Sequence, residues 1–315
     1  MQSMANIWDK TIEVTPDMVQ ALLLSQFNLE ATTIELLGQG FDNTAFLVNQ
    51  QFVFRFPHKA QALNFMENEI MLLPYLANKL PFPVPSPQFI GKPSDVYPFV
   101  FLGYPVLPGT LLAETCEPLV DDINFAQIVG SWLAQLHSLP VLDKHRANLK
   151  GVNDWRLSIE QRTGRVKTTL VQYHDSFISC GFDPAYLSEL MDSFQMLDTT
   201  IAKHSYLHGD LYAKHILINE HKLPVGFIDW GDMHIGHPAL DIALGFIIFT
   251  DNALQAFTDA YGTIDEATMN VARFKAYYHS ILALPYFVQA SEDSSVQWVA
   301  AGLNNIIKII NQTHE

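Results

Sequence analysis

Cysteine is nearly missing from this 315-residue chain: Cys116 and Cys180 are too few for a disulfide framework and do not form a C-x-x-C pair. A small stapled scaffold is therefore excluded, and a reduced, cytoplasmic setting is expected. Charged residues are also sparse, 16% against 49% hydrophobic, which excludes a disordered tail and suits two packed lobes or one large domain. No apolar run approaches the roughly 18 residues needed to cross a bilayer. Met1 to Asp9 lacks the basic-then-apolar pattern of a secretory signal. A soluble chain without a membrane partner is the expectation. Fixed-period repeats and low-complexity tracts are missing too, so solenoid readings drop out.

Positive charge is the scarcer sign. Eighteen basic against thirty-three acidic side chains give a formal charge of -15, which repels the nucleic-acid backbone and argues against such a partner. From Asp229 to Glu315 ten acidic residues face three basic ones. That end would concentrate a cationic small molecule; ordinary solubilising acidity is the alternative.

The first hundred residues alternate short β-rich runs with turns. Strands are expected at Thr33 to Leu37, Thr44 to Val48 and Phe52 to Phe56, with a glycine turn from Gly38 to Asn43. Lys59 to Leu80 carries apolar residues at helical spacing and is expected to be a helix bent or interrupted at Pro74. Pro81, Pro83, Pro85 and Pro87 mark an extended connector, with a ligand for proline-recognition modules as the alternative. Phe99 to Tyr104 reads as a further strand, broken by the Pro105 to Gly109 segment, PVLPG. Beyond it Phe125, Ile128, Val129, Trp132, Leu133 and Leu136 form one helical face. Helical stretches recur from about Trp155 to Lys203 and from Leu240 onward. The expected division is a β-rich lobe over residues 1–104, a hinge over 105–109 and a helical lobe over 110–315.

The densest chemistry lies in Leu207-His208-Gly209-Asp210 through Asn219, followed by Pro224 to Asp232. Ile216 to Ile218 and Val225 to Ile228 flank a polar turn and read as a hairpin. In an antiparallel pair the residue before the first strand and the residue after the second share one end, so His215 and Asp229 are neighbours. Asp210 enters that same end on the preceding loop. The set could hold a divalent cation with His215 and Asp229 while Asp210 accepts a proton from a hydroxyl nucleophile. Gly38 and Gly40 have strands on both sides, as in a loop folding over nucleotide phosphates, and not the strand-turn-helix of a dinucleotide fold. Arg55 places a charge on an apolar strand and needs a partner. Glu69 on the following helix is the first candidate and Glu67 the second.

This order of motifs resembles the aminoglycoside phosphotransferase family. It comprises a glycine hairpin loop, a basic residue on the third strand, a Glu on the next helix, a Pro-containing hinge, His-Gly-Asp, then Ile-Asp-Trp-Gly-Asp. The branch that phosphorylates a 2″-hydroxyl is the nearest in pattern, through Gly40-Phe41-Asp42-Asn43, the Asn78 to Pro85 stretch and His215 where many relatives have Asn. The resemblance implies an α+β, protein-kinase-like two-lobed fold and an ATP- or GTP-dependent phosphotransferase using Mg2+. Asp210 would be the catalytic base, and His215 and Asp229 the metal pair. Gly38, Gly40, Asp42, Asn43, Arg55, Glu69, Pro105, Leu107 and Ile228 would serve the nucleotide. Asp241 would brace the catalytic loop. The implied acceptor is an aminoglycoside-like, hydroxylated and cationic molecule, with Asp232, Asp251 and Asp259 as candidate amine contacts. A metabolite kinase and a catalytically silent nucleotide-binding module are the alternatives. Three departures from the family pattern stand out: Arg55 in place of Lys, His215 as an imidazole beside a metal that prefers oxygen, and His237 where many relatives have Asp. The Arg156 to Lys167 basic helix is expected to be a solvated face.

Overall fold

The computed structural model describes residues 12–40, 42–115, 121–150, 154–200 and 203–313. Met1 to Asp9, Phe41 and Cys116 lie outside the described residues, as does the 201–202 part of the expected 155–203 helical stretch. The chain divides into two compact units. The first takes the chain through Lys79, then Pro83–Leu107 and a short segment starting at Asn148; the second takes Leu80–Phe82, Pro108–Ala147 and everything from Val152 on.

In the first unit helix α1 (Pro16–Phe27) opens with Pro at its first turn and Thr15 accepting from the Met18 amide, and ends at left-handed Asn28. Strands β1 (Ile34–Gln39), β2 (Asn43–Val48) and β3 (Phe52–Pro57) follow as a meander. Helix α2 (Leu63–Ala77), β4 (Phe89–Gly91) and β5 (Phe101–Pro105) complete an antiparallel sheet of order β1-β2-β3-β5-β4. The period-2 pattern of β2 buries Phe46 and Val48. Together with Phe54, Phe56 and Phe101 they form an aromatic core against Val19, Leu22 and Leu23 of α1. Phe56 and Phe101 stack at 4.6 Å. Fully buried side chains of this size contribute about 2–3 kcal/mol each, so the sheet holds its shape through this face.

Three expectations shift here. The glycine turn is tighter than Gly38 to Asn43, because β1 runs through a bulge to Gln39 and the Gly40 amide closes onto the Asn43 carbonyl at 2.9 Å. Helix α2 is shorter than 59–80: a 3-10 turn occupies Ala60–Ala62, and Pro74 sits in a last turn that ends at Ala77. The proline-rich connector buries Phe82 and Val84, so it does not offer them to a partner.

The second unit is mostly helical. It contains β6 (Thr110–Leu111), α3 (Ile123–Ser138), α4 (Asp143–Asn148), α5 (Ile159–Gln172), α6 (His174–Ser179) and α7 (Pro184–Asp192), then β7 (Ser205–Leu207), β8 (Ile216–Ile218), β9 (Pro224–Phe227) and β10 (His234–Gly236). Helices α8 (Ala239–Ile248), α9 (Asp251–Tyr261), α10 (Glu266–Gln289) and α11 (Asp293–Thr313) follow. All ten residues of α8 are buried, making it the axis of the unit, with α3, α9, α10 and α11 around it. Two small sheets, β6-β8-β9 and β7-β10, carry the polar loops on this helical base. Among the described residues no helix is long and apolar enough to cross a membrane.

Candidate functional site

The β8–β9 hairpin sets the geometry of the second unit's polar cluster. Its ladder pairs Ile216 with Phe227 and continues through the Ile228 amide to the His215 carbonyl at 2.9 Å. His215 and Asp229 therefore face each other, with Nε2 and Oδ2 3.4 Å apart, as the register predicts. Asp229 is held in the left-handed region, φ 58°, which Asp tolerates better than most residues and which turns the chain sharply after β9. His215 Nδ1 lies 2.6 Å from the Asp210 main-chain carbonyl and 4.0 Å from the Asp210 carboxylate. A carbonyl only accepts, so Nδ1 carries hydrogen and a neutral ring turns the bare Nε2 lone pair toward Asp229. Two electron-pair donors at that distance suit a cation between them. Among the described residues no set of three or more His, Cys, Asp or Glu side chains is gathered for a metal. A two-ligand protein site fits Mg2+, which takes much of its shell from phosphate oxygens and water.

The loop that presents Asp210 is braced from below. Gly209 stands at φ +88°, and a Cβ there would come within 2.4 Å of the Asp232 carbonyl, so only glycine fits. Asp241, fully buried near the start of α8, accepts the His208 amide at 2.7 Å and the Gly209 amide at 2.8 Å. Burial pushes its carboxyl up, but the hydrogen bond and electrostatic pull of His137, with His208 and the Gly209 amide, outweigh this and hold it below the usual range. His137 is a buried strut with Nε2 3.2 Å from Asp241 and Nδ1 2.8 Å from the Tyr261 hydroxyl. His208 is fully buried, bonds the Ile228 carbonyl through Nε2 at 2.8 Å, and has its pKa pushed down to about 4 by burial and then by His215. It is a neutral tie between the two loops. His237, unexplained by sequence, accepts the Ala239 amide on Nδ1 at 3.1 Å, just ahead of the Pro238 N-cap of α8.

Asp210 keeps 32% of its side-chain surface exposed. Its carboxyl is nevertheless raised above the usual range, first by desolvation and then by the Asp232 carboxylate, with His215 and Lys275 pulling the other way. That direction suits a group that takes up a proton.

In the first unit Arg55 meets Glu69 through one nitrogen at 3.0 and 3.1 Å, and the Tyr104 hydroxyl donates to the same carboxylate at 2.5 Å. Glu67, the second candidate, pairs with Lys150 instead. The Lys150 amide and carbonyl are bound to Asn68, which fixes this segment to α2. At the glycine turn a Cβ on Gly38 would meet nothing within 4 Å and one on Gly40 only the Asn43 carbonyl at 3.7 Å. The protein's own atoms therefore do not demand glycine at either position. Asp42 pairs with Lys59 at 2.9 Å, and Asn43 has a buried side-chain oxygen with no partner among the described residues. Pro105 ends β5 opposite Phe52, while Leu107 is half-buried just before the unit boundary. Ile228 is half-buried beside Asp229 in the second unit.

The three acidic residues singled out for amine contacts each have a partner within the protein. Asp232 lies in the field of Asp210 but is ion-paired with Arg156. Asp251 takes Lys308 at 2.9 Å, and Asp259 accepts from Gln255 at 2.7 Å. Nor is the Arg156 to Lys167 stretch a solvated face, because Arg162 is 4% exposed and lies over the Tyr278 ring at 4.6 Å. Lys275 escaped the sequence reading altogether. It is 5% exposed, donates to His279 Nδ1 at 3.1 Å and influences Asp210 electrostatically.

Comparison with known proteins bears on the family and the fold. Residues 33–274 match the model of the APH phosphotransferase enzyme family. The solved GDP and kanamycin complex of an aminoglycoside 2″-phosphotransferase of type IIIa superposes with a TM-score of 0.68 at 23% identity, covering 92% of this chain and 97% of that one. A macrolide 2′-phosphotransferase of type I gives 0.60 at 20% identity, covering 93% and 98%. The protein YcbJ of Bacillus subtilis (strain 168), itself uncharacterized, is 24% identical over 238 residues, 68% of this chain and 69% of its own length. These likenesses show a kinase-like α+β fold. With the family model spanning most of the sequence, the chain belongs to the APH phosphotransferase enzyme family.

Proposed function

We propose that this protein transfers the terminal phosphoryl group of ATP or GTP to a hydroxyl of a small molecule, with Asp210 as the base. The observation that carries this reading is the convergence of Asp210, His215 and Asp229 on one loop pair braced by Asp241. Asp210 takes the acceptor's proton as the new O–P bond forms and the bond to the departing nucleoside diphosphate breaks. His215 and Asp229 would hold Mg2+, whose part when bound is to neutralise phosphate charge. Arg55, positioned by Glu69 and Tyr104, would supply a fixed positive group for the phosphates, and the turn carrying Gly38, Gly40, Asp42 and Asn43 would lie against them. Main-chain groups of Pro105 and Leu107 and the side chain of Ile228 complete the nucleotide set.

The finer expectation of an aminoglycoside-like, cationic acceptor draws support from solved neighbours in complex with kanamycin and gentamicin. It draws less from this chain, where Asp232, Asp251 and Asp259 already have partners. A metabolite kinase of the same chemistry is the second reading, favoured by the basic side chains near Asp210. The intact Asp210, His215 and Asp229 set counts against a silent module.

The test uses the full chain with Mg2+, ATP or GTP and a panel of hydroxylated compounds, following acceptor-dependent diphosphate release. Asp210→Asn is expected to lower turnover by about 10²–10⁴-fold while nucleotide affinity stays within about threefold. Turnover that survives this substitution would remove Asp210 from its role.

A further inference from the structure

Near Asp210 the second unit carries a buried lysine, Lys275, with no carboxylate in direct contact among the described residues. Lys275 and Tyr278 sit at i and i+3 on α10 and so share a face. The Lys275 ammonium has one hydrogen-bond partner, His279, and lies 5.1 Å from the Tyr278 ring centre; among the described residues no carboxylate is within 4.0 Å of it. The Tyr278 hydroxyl is buried and has no partner among the described residues. The Arg162 guanidinium also lies over that ring, 4.6 Å from its centre. Arg156 stands at the same place, paired with Asp232. Lys275 is tied toward the Asp210 loop through His279, whose ring lies 5.2 Å from that of Tyr212, itself 4.4 Å from the His215 ring, and Lys275 and Tyr278 both feel the charges of Asp210, Asp232, Arg156 and Arg162. Three cations, Lys275, Arg156 and Arg162, thus gather near Asp210; Asp232 is paired with Arg156 and Asp229 faces His215, which leaves Lys275 as the cation without a directly contacting carboxylate among the described residues.

A buried ammonium with two unused donors and a buried hydroxyl with none used are costly unless a ligand completes them. A polyamine would bring ammonium groups against Lys275, Arg162 and Arg156, with no uncommitted carboxylate among the proposed contacts to receive them. An anion would satisfy the donors.

We propose that the acceptor bears an acid group, a carboxylate or a phosphate monoester, bound by the Lys275 ammonium and the Tyr278 hydroxyl in the positive field of Arg156 and Arg162, while its hydroxyl faces Asp210. This names the substrate class of the phosphotransferase reading and rests on it.

Two measurements separate the ideas. Calorimetric titration of the full chain with GDP and Mg2+ present compares gluconate and glycerate, glucose 6-phosphate, the neutral glucose and glycerol, and kanamycin. Diphosphate release is followed for the same compounds with MgATP and MgGTP. At least one acidic compound is expected to bind tenfold or more tightly than its neutral parent, and the carboxylate and phosphate arms say which acid group is used. Lys275→Met should reduce that preference to less than about threefold, and Tyr278→Phe should reduce it in part, with far-ultraviolet circular dichroism confirming that both variants are folded. Kanamycin binding more tightly than every acidic compound, acidic compounds binding no better than neutral ones, or a preference unchanged in both folded variants would each overturn the proposal. Failure of phosphoryl transfer is read separately, as no diphosphate release with any compound despite nucleotide binding.

Discussion

A lysine side chain buried to 5% exposure without a carboxylate at hand has a pH signature of its own. Burial pushes Lys275 down to about 8, against an ordinary value of 10.5, with Asp210 and Asp232 only partly offsetting it. The unfolded chain therefore binds more protons than the folded one between about pH 8 and 10.5, and stability attributable to this residue rises across that window. Below pH 8 the full penalty applies, about 3 kcal/mol at the usual conversion of 1.36 kcal/mol per pKa step. Urea unfolding of Lys275→Met should accordingly show a stability advantage over the native chain at pH 7.5 that shrinks as pH approaches 10. An advantage that stays constant across the window would mean Lys275 is not desolvated. Arg55 behaves oppositely. Its loss would leave the 1% exposed Glu69 carboxylate with Tyr104 but without its counter-charge. Arg55→Ala should thus destabilise the protein by about 2–4 kcal/mol, while Arg55→Lys retains most of that stability and lowers nucleotide affinity by removing the guanidinium fork.

At the scale of elements, the loop that carries Asp210 is a strand end whose backbone is tied to a helix. Gly209→Ala would press a methyl group onto the Asp232 carbonyl at a positive φ, so the loop must shift to accept it. Turnover should fall at least about tenfold, by analogy with small misplacements of reacting groups, with thermal unfolding only modestly changed. A variant that keeps native turnover would show the loop to be softer than its hydrogen bonds suggest. The same elements explain what could be read from the sequence. His215 facing Asp229 follows from the register of one short hairpin, and Arg55 meeting Glu69 from a strand and the next helix, fourteen positions apart. Such contacts are local, and alternation or turn chemistry encodes them. Arg156 with Asp232 spans 76 positions and His137 with Asp241 spans 104, so both depend on how helices pack. Composition exposed the acidity of the last third but not which carboxylates were already paired, as Asp251 is with Lys308. Gly130 is a further case. Its spacing in α3 marks it as nothing special, yet a Cβ there would lie 2.3 Å from the Phe257 carbonyl of α9. The two helices touch through backbone at this glycine. Gly130→Ala should therefore cost about 1–3 kcal/mol in denaturant unfolding, the usual range for overpacking.

At the scale of the whole molecule, the charge of -15 acts against the local basic cluster. At 10 mM salt the screening length is about 30 Å, comparable to a domain, so an approaching anion feels the net repulsion of the chain. At 150 mM it is about 8 Å, and the distant acidic surface is screened more strongly than Lys275, Tyr278 and Arg55, which under the proposed roles would meet their ligands at contact distance. An acidic acceptor should then show a kcat/KM that is flat or rises by up to about threefold between these ionic strengths, because screening removes more repulsion than attraction. A polycationic acceptor has the opposite balance: long-range attraction is lost on screening, and its kcat/KM should drop by about tenfold or more. The slope of log kcat/KM against ionic strength, measured at saturating nucleotide for whichever acceptor the panel selects, therefore reports the sign of the substrate's charge without any structure of the complex. A steep fall for the selected acceptor would place its binding groups among the acidic residues and not on the Lys275 face of α10.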